Sequence, residues 1–155
     1  DTVKYILCLR RRKVTAMFIT RECDYAVRVL RALSGENRLS VNEICEKESI
    51  TAPFAYKILK KLQKAGIVKG YRGVHGGYAM NKSLNELTLF DVYSAIDPDL
   101  FIIECMASGY ECPADGRGDH LPCYMHRELC DIQQELWGML RRKSLQEVLM
   151  PEGCN

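Results

Sequence analysis

Four of the eight cysteines in this chain, Cys105, Cys112, Cys123 and Cys130, fall in one short segment with two of its three histidines, His120 and His126. Thiolates with an occasional imidazole are the donors of iron–sulfur clusters, and three cysteines with one histidine also describe a structural zinc site. Between the cysteines lie Gly109, Pro113, Gly116, Gly118 and Pro122, which break helices and strands, so the segment reads as a loop that gathers thiols. The tight Cys-x-x-Cys pairs of zinc knuckles are absent, and a cluster is the favoured ligand. Zinc and a metal-free thiol/disulfide switch stand as the alternatives. Cys23 and Cys45 sit among apolar residues of predicted helices and read as small core residues, while Cys8 and Cys154 lie in tails.

The rest of the chain must position that loop. Its 155 residues, 47% of them hydrophobic, suit one domain of ordinary size or a small domain with an oligomerisation arm. The formal charge of +2 hides a division. Met17 to Lys82 carries 12 basic and 6 acidic residues, and Ser83 to Asn155 carries 5 basic and 13 acidic. A basic half calls for a polyanionic partner. Residues 1–16 hold five basic residues and one acidic, and read as a disordered or expression-derived extension. Tyr5-Ile6-Leu7 precedes Arg10-Arg11-Arg12-Lys13, the reverse of a secretory signal, and no apolar run approaches the roughly 18 residues of a membrane span. Clustered rather than dispersed cysteines further favour a cytoplasmic protein.

Residues 17–82 spell out a winged helix-turn-helix. Thr20 is an N-cap for a first helix with Tyr25, Ala26, Val29, Leu30 and Leu33 on one face, stopped at Gly35. Ser40-Val41-Asn42-Glu43 is a capping box with a Leu39–Ile44 staple, opening a short helix to Glu48. A third helix starts at Thr51, carries Pro53 in its first turn and ends at Ala65-Gly66. Its expected buried stripe is Phe54, Ile58, Leu59, Leu62 and Ala65, and Tyr56, Lys57, Lys60, Lys61 and Lys64 face away. Ile67 to Tyr71 and Tyr78 to Met80 read as a hairpin with a glycine-rich tip. A helix fits the major groove of double-stranded DNA, its N-terminal residues meeting bases or phosphates and its lysines displacing counterions. The candidate DNA-binding residues are Thr51, Tyr56, Lys57, Lys60 and Lys61, with Arg72 and His75 on the wing.

A connecting region, 83–104, contains a helix from Thr88 to Ile96, with Thr88 and Asp91 as its capping pair. Beyond the loop of 105–123, one long amphipathic helix is expected from Tyr124 to about Val148, within a dimerisation segment of 124–149 and followed by a tail of 150–155. Leu129, Ile132, Leu136, Met139 and Leu140 recur on it at helical spacing, which suits the seam of a homodimer, although such a face also packs on its own domain. The predicted fold class is therefore mainly α with a small β-hairpin: a winged helix-turn-helix plus a long C-terminal dimerisation helix. No glycine-rich nucleotide loop follows a strand, and enzymatic activity is not expected.

Together these motifs resemble the Rrf2 family of bacterial transcription regulators from about Met17 to Leu149. The resemblance rests on Asp24-Tyr25-Ala26, on Ser49 to Gly66, on Arg72-Gly73-x-x-Gly76-Gly77-Tyr78, and on a cysteine triplet before a helix ending near Ser144-Leu145. It implies an iron–sulfur cluster, 2Fe–2S or 4Fe–4S, whose state controls operator affinity in response to redox conditions, iron–sulfur status or nitric oxide. Carried over, the first two ligands are Cys105 and Cys112. Counting back from Ser144-Leu145 gives Cys123 as the third and His126 as the fourth. Ten residues separate Cys112 from Cys123, longer than the family's usual gap, and Cys130 stands one turn beyond His126 as an alternative ligand. Nitric-oxide sensors of the family use an aspartate near the start of the first helix, which corresponds to Asp24.

Overall fold

The computed structural model describes residues 19–107, 110, 112 and 123–150. The extension 1–16, with Cys8, the tail beyond Met150, with Cys154, and much of the cysteine loop, including His120, lie outside the described residues.

Three helices form the reading head. Helix α1, Arg21–Leu33, starts where the Thr20 side chain accepts from the Cys23 amide. Helix α2, Val41–Glu48, carries the expected capping box: the Ser40 hydroxyl accepts from Glu43 N, and Glu43 accepts in return from Ser40 N. Helix α3, Ala52–Lys64, begins after Thr51 with proline in its first turn. Ser49 links α2 to α3 in the left-handed region at φ 52°, ψ 45°, which makes the turn tight enough for the two helices to touch. Arg31 of α1 grips the carboxylate of the buried Glu48 with two guanidinium nitrogens, Nε at 3.0 Å, and so ties α1 to α2. Leu30, Leu33, Ile44, Ile58, Leu59 and Leu62 are wholly buried where the three helices meet, each burial contributing roughly 2 kcal/mol.

One expectation about α3 is corrected. Its buried stripe is Ala55, Ile58, Leu59 and Leu62, whereas Phe54 is 45% exposed and Ala65 is exposed. The helical period starting from Ala55 leaves Phe54 on the flank, where it meets Tyr25 edge to face at 5.6 Å.

Strands β1, Val68–Tyr71, and β2, Gly77–Met80, pair antiparallel, Val68 opposite Met80 and Tyr71 opposite Gly77. Leu39 adds a short third edge through Leu39 N to Tyr78 O at 3.0 Å and Tyr78 N to Leu39 O at 2.8 Å. Gly77 is required there. Its φ is +150°, and a Cβ would stand 2.5 Å from the Leu39 carbonyl oxygen.

A one-turn 3-10 helix at Leu84–Glu86 leads to α4, Leu89–Ile96, whose Thr88/Asp91 capping box is present as read from sequence. Helix α4 packs on α1 and α3. Helix α5 runs Tyr124–Arg141 and lies against α4. The expected single long helix is two. A second capping box, Ser144 with Glu147, opens α6 at Leu145–Leu149. The Leu145 amide donates to Leu87 O at 2.6 Å, and Thr88 bridges Ser144, so the chain turns back onto the start of α4 and helical continuity is lost.

Candidate nucleic-acid interface and metal centre

On α3, Tyr56 is 57% exposed, Lys60 is exposed, and the Thr51 hydroxyl makes no capping hydrogen bond. The other two predicted lysines are engaged. Lys57 and Lys61, one turn apart, both donate to the Glu22 carboxylate of α1, Lys61 at 2.8 Å, and Lys61 also donates to Ile96 O at 2.8 Å. Burial pushes the Glu22 carboxyl up, but the hydrogen bonds and charges of Lys57 and Lys61 outweigh it and hold the group below the usual carboxylate range. Lys61 is thus half-buried against its own domain rather than on the outer face with Tyr56 and Lys60.

The wing tip presents Arg72, Val74 and His75 to solvent, Val74 completely. Sequence reasoning missed Arg38. Its guanidinium carbon lies 3.9 Å from the centre of the Tyr71 ring, and its Nη1 donates to His75 O at 2.7 Å. An arginine two residues before the Ser40 cap was the available signal.

The thiol site is built between α5 and the segment entering the loop. Cys105 lies in a one-turn 3-10 helix, Glu104–Met106, that touches α5. Cys123 is the N-cap of α5, its sulfur accepting from His126 N at 3.3 Å. The His126 ring stands between two thiols, with Cys105 Sγ 3.3 Å from Nδ1 and Cys130 Sγ 3.4 Å from Nε2. His126, Cys130, Gln133, Trp137 and Leu140 follow one another at helical spacing along the side of α5 that faces its own domain, and Gln133 and Leu140 are buried there. Burial raises the Cys105 pKa above the ordinary thiol value, and the nearby Cys123, Cys112 and Cys130 raise it further. Cys105 therefore shares its surroundings with all three other thiols. The six described cysteines are all free, with Cys23 buried in the core and Cys45 packed against it, as expected.

The donors fit an iron–sulfur group by chemistry, four soft sulfurs and an imidazole in one neighbourhood. Among the described residues, however, no group of three or more Cys, His, Asp or Glu side chains is set to hold a single metal ion. The reason is visible at His126. Its two nitrogens point away from each other, so thiols facing both cannot share one ion with the ring. Asp24 is half-exposed and paired with Arg28 at 3.0 Å.

A chain of part-buried and buried hydrogen bonds joins α5 to α3. Gln133, 2% exposed, accepts from Ile102 N at 2.8 Å and donates to Leu100 O at 3.3 Å, and Trp137 Nε1 donates to Leu100 O at 3.2 Å. The strap of residues 96–102 is thereby fixed to α5 at one end and, through Lys61 and Ile96 O, to α3 at the other.

Over residues 19–151 the chain matches the Rrf2 family, described as iron-dependent transcriptional regulator. The chain belongs to the Rrf2 family. Among its Rrf2-type relatives, the HTH-type transcriptional regulator IscR of Klebsiella pneumoniae (strain 342) is 28% identical over 136 residues, 86% of this chain and 80% of that one. Protein aau3 of Rhizobium meliloti (strain 1021) is 35% identical over 100 residues, 63% of this chain and 65% of that relative's length, slightly under two thirds. The solved structure of T. potens IscR has the same fold, with a TM-score of 0.64 at 18% identity, covering 84% of this chain and 85% of that one. This Rrf2-family chain is a DNA-binding transcriptional regulator, a role that is not enzymatic. Among the described residues no helix is long and apolar enough to cross a membrane.

Proposed function

We propose that this Rrf2-family regulator binds its operator as a homodimer and that an iron–sulfur cluster held by Cys105, Cys112 and Cys123, with His126 as fourth ligand, controls its DNA affinity. The observation that carries the reading is the gathering of Cys105, Cys123 and Cys130 around His126, with Cys105 also within the electrostatic reach of Cys112. Cys130 is the alternative ligand, because it occupies the inner side of α5 with His126. The cluster would supply a redox-active, nitrosylable centre whose gain or loss is a signal. To accept it, His126 must release at least one thiol, and Cys105 must lose a proton that its surroundings retain.

The dimer reading rests on the other side of α5. Met125, Leu129, Ile132, Leu136 and Met139 alternate at steps of four and three, and Met125, Ile132 and Met139 are 67%, 46% and 57% exposed. That is the spacing of a coiled-coil seam facing a second copy.

The test is an anaerobic visible spectrum with iron and acid-labile sulfide quantitation, repeated on Cys123→Ala and Cys130→Ala. The expected result is a cluster in the wild-type protein and in Cys130→Ala, but not in Cys123→Ala. The converse pattern makes Cys130 the third ligand, and absence of iron and sulfide overturns the cluster reading. A metal-free thiol switch is the second reading, favoured by the His126 ring already bridging two thiols. It requires an added oxidant such as peroxide to convert two thiols to a disulfide, with DNA binding following that conversion.

A further inference from the structure

We propose that Arg38, on the turn between α1 and α2, is a positioning residue for DNA binding that sets the wing tip in the pose from which Arg72 and His75 are presented. Two four-residue strands are too short to hold a tip steady by themselves. The tip spans 72–76 and is internally closed by the Gly76 amide donating to Gly73 O at 2.9 Å. Its direction depends on what grips the residues on either side.

Arg38 grips both. Its guanidinium stacks on Tyr71, the last residue of β1, at 3.9 Å, and the same group donates to His75 O at 2.7 Å. Tyr71 precedes Arg72 and His75 closes the tip, so a single planar group spans the turn from one side to the other. Next to it, the Leu39–Tyr78 bridge and the close passage of Gly77 over Leu39 lock the base of the hairpin to the same turn. The base is fixed by backbone and the tip by one side chain. Arginine suits this because its rigid fork can stack and donate at once, whereas a lysine ammonium is a point charge on a flexible stem.

The competing role for an exposed arginine here is direct contact with a phosphate, and the two roles separate experimentally. Duplexes enriched by the wild-type protein from a pool with a randomised centre serve as the probe. Binding is measured over a range of salt for Arg38→Ala, Arg38→Lys, Tyr71→Leu and the Arg38→Ala/Tyr71→Leu double variant. Positioning predicts about tenfold weaker binding for Arg38→Ala, no recovery in Arg38→Lys, and a similar loss in Tyr71→Leu that does not add in the double variant. It also predicts a salt slope unchanged from wild type and increased fast motion of the Gly73 and Gly76 amides by NMR relaxation. Recovery in Arg38→Lys, with a slope reduced by about one ion in Arg38→Ala, would assign a phosphate contact and overturn the proposal. Full additivity of the two losses, or tip amides as rigid as in wild type, would overturn it as well. Since Arg38 is exposed, its variants are expected to keep the wild-type melting temperature, and a matching drop in stability would reduce the effect to general unfolding.

Discussion

Glu22 pairs with two lysines of α3, Lys57 and Lys61, that the sequence offers as candidate phosphate contacts. With Lys57 and Lys61 both turned to it, part of the positive charge of α3 is spent inside the molecule. We predict that Glu22→Gln tightens DNA binding about 1.4- to fivefold, the range set by surface ion pairs of about 0.2–1 kcal/mol, and steepens its dependence on salt. Unchanged or weaker binding in a salt titration would count against this. The pairing also has a pH signature. The Glu22 carboxyl titrates below its ordinary value, so its stabilisation is complete above the ordinary carboxylate range and is lost as pH falls through the lower folded value. The stability difference between wild type and Glu22→Gln should therefore vanish in acid, as followed by urea unfolding. From sequence, Lys61 looked like a solvent-facing partner of Lys60, because helical spacing gives the direction of a side chain but not the carboxylate that a neighbouring helix brings to it; Lys57 is exposed as expected, yet shares that carboxylate. Phe54 misled for a related reason: an aromatic at the edge of the apolar stripe reads as core until Tyr25 is seen to hold it on the flank.

Elements were legible wherever their ends carried local chemistry. Thr20, the Ser40/Glu43 box and the Thr88/Asp91 box each start a helix at the residue the sequence indicates. The same Ser-x-x-Glu signal stands at Ser144 and Glu147, but the apolar periodicity of the preceding helix masked it, and the break between α5 and α6 was missed. Its cause is tertiary, since Leu87 supplies the acceptor for the Leu145 amide from far back in the chain. The turn between α2 and α3 makes its own prediction. Ser49 is held at positive φ, where a β-branched side chain is an outlier and glycine is at ease. Ser49→Val is expected to cost about 1–2 kcal/mol and Ser49→Gly to leave stability within about 0.5 kcal/mol of wild type, measured by thermal or denaturant unfolding. Equal losses in both would mean that the serine side chain, not the backbone, matters there.

For the whole molecule, the division of charge and the order of motifs pointed to a DNA-binding regulator, and the family match bears out the regulator. The arrangement of the thiols was less accessible, because a loop interrupted by glycines and prolines has no periodicity from which to read which sulfurs meet. Helix α5 carries two stripes at once, one toward its own domain and one toward solvent, and sequence spacing alone could not assign them. If the solvent stripe is the seam between two copies, Ile132→Glu should yield monomers by sedimentation and lower operator affinity at least tenfold, since two half-sites would no longer be bound together. A dimer that survives this change would move the interface elsewhere. The strap of 96–102 has a consequence of another kind. Because it is attached to α3 through Lys61 and to α5 through Gln133 and Trp137, any binding free energy it couples must act equally in both directions. Operator DNA should then alter the chemistry of the thiols. The alkylation rate of Cys105 by iodoacetamide is expected to change when a selected duplex is added and to stop responding in Gln133→Leu, which would make Cys105 a reporter of whether the protein is reading DNA.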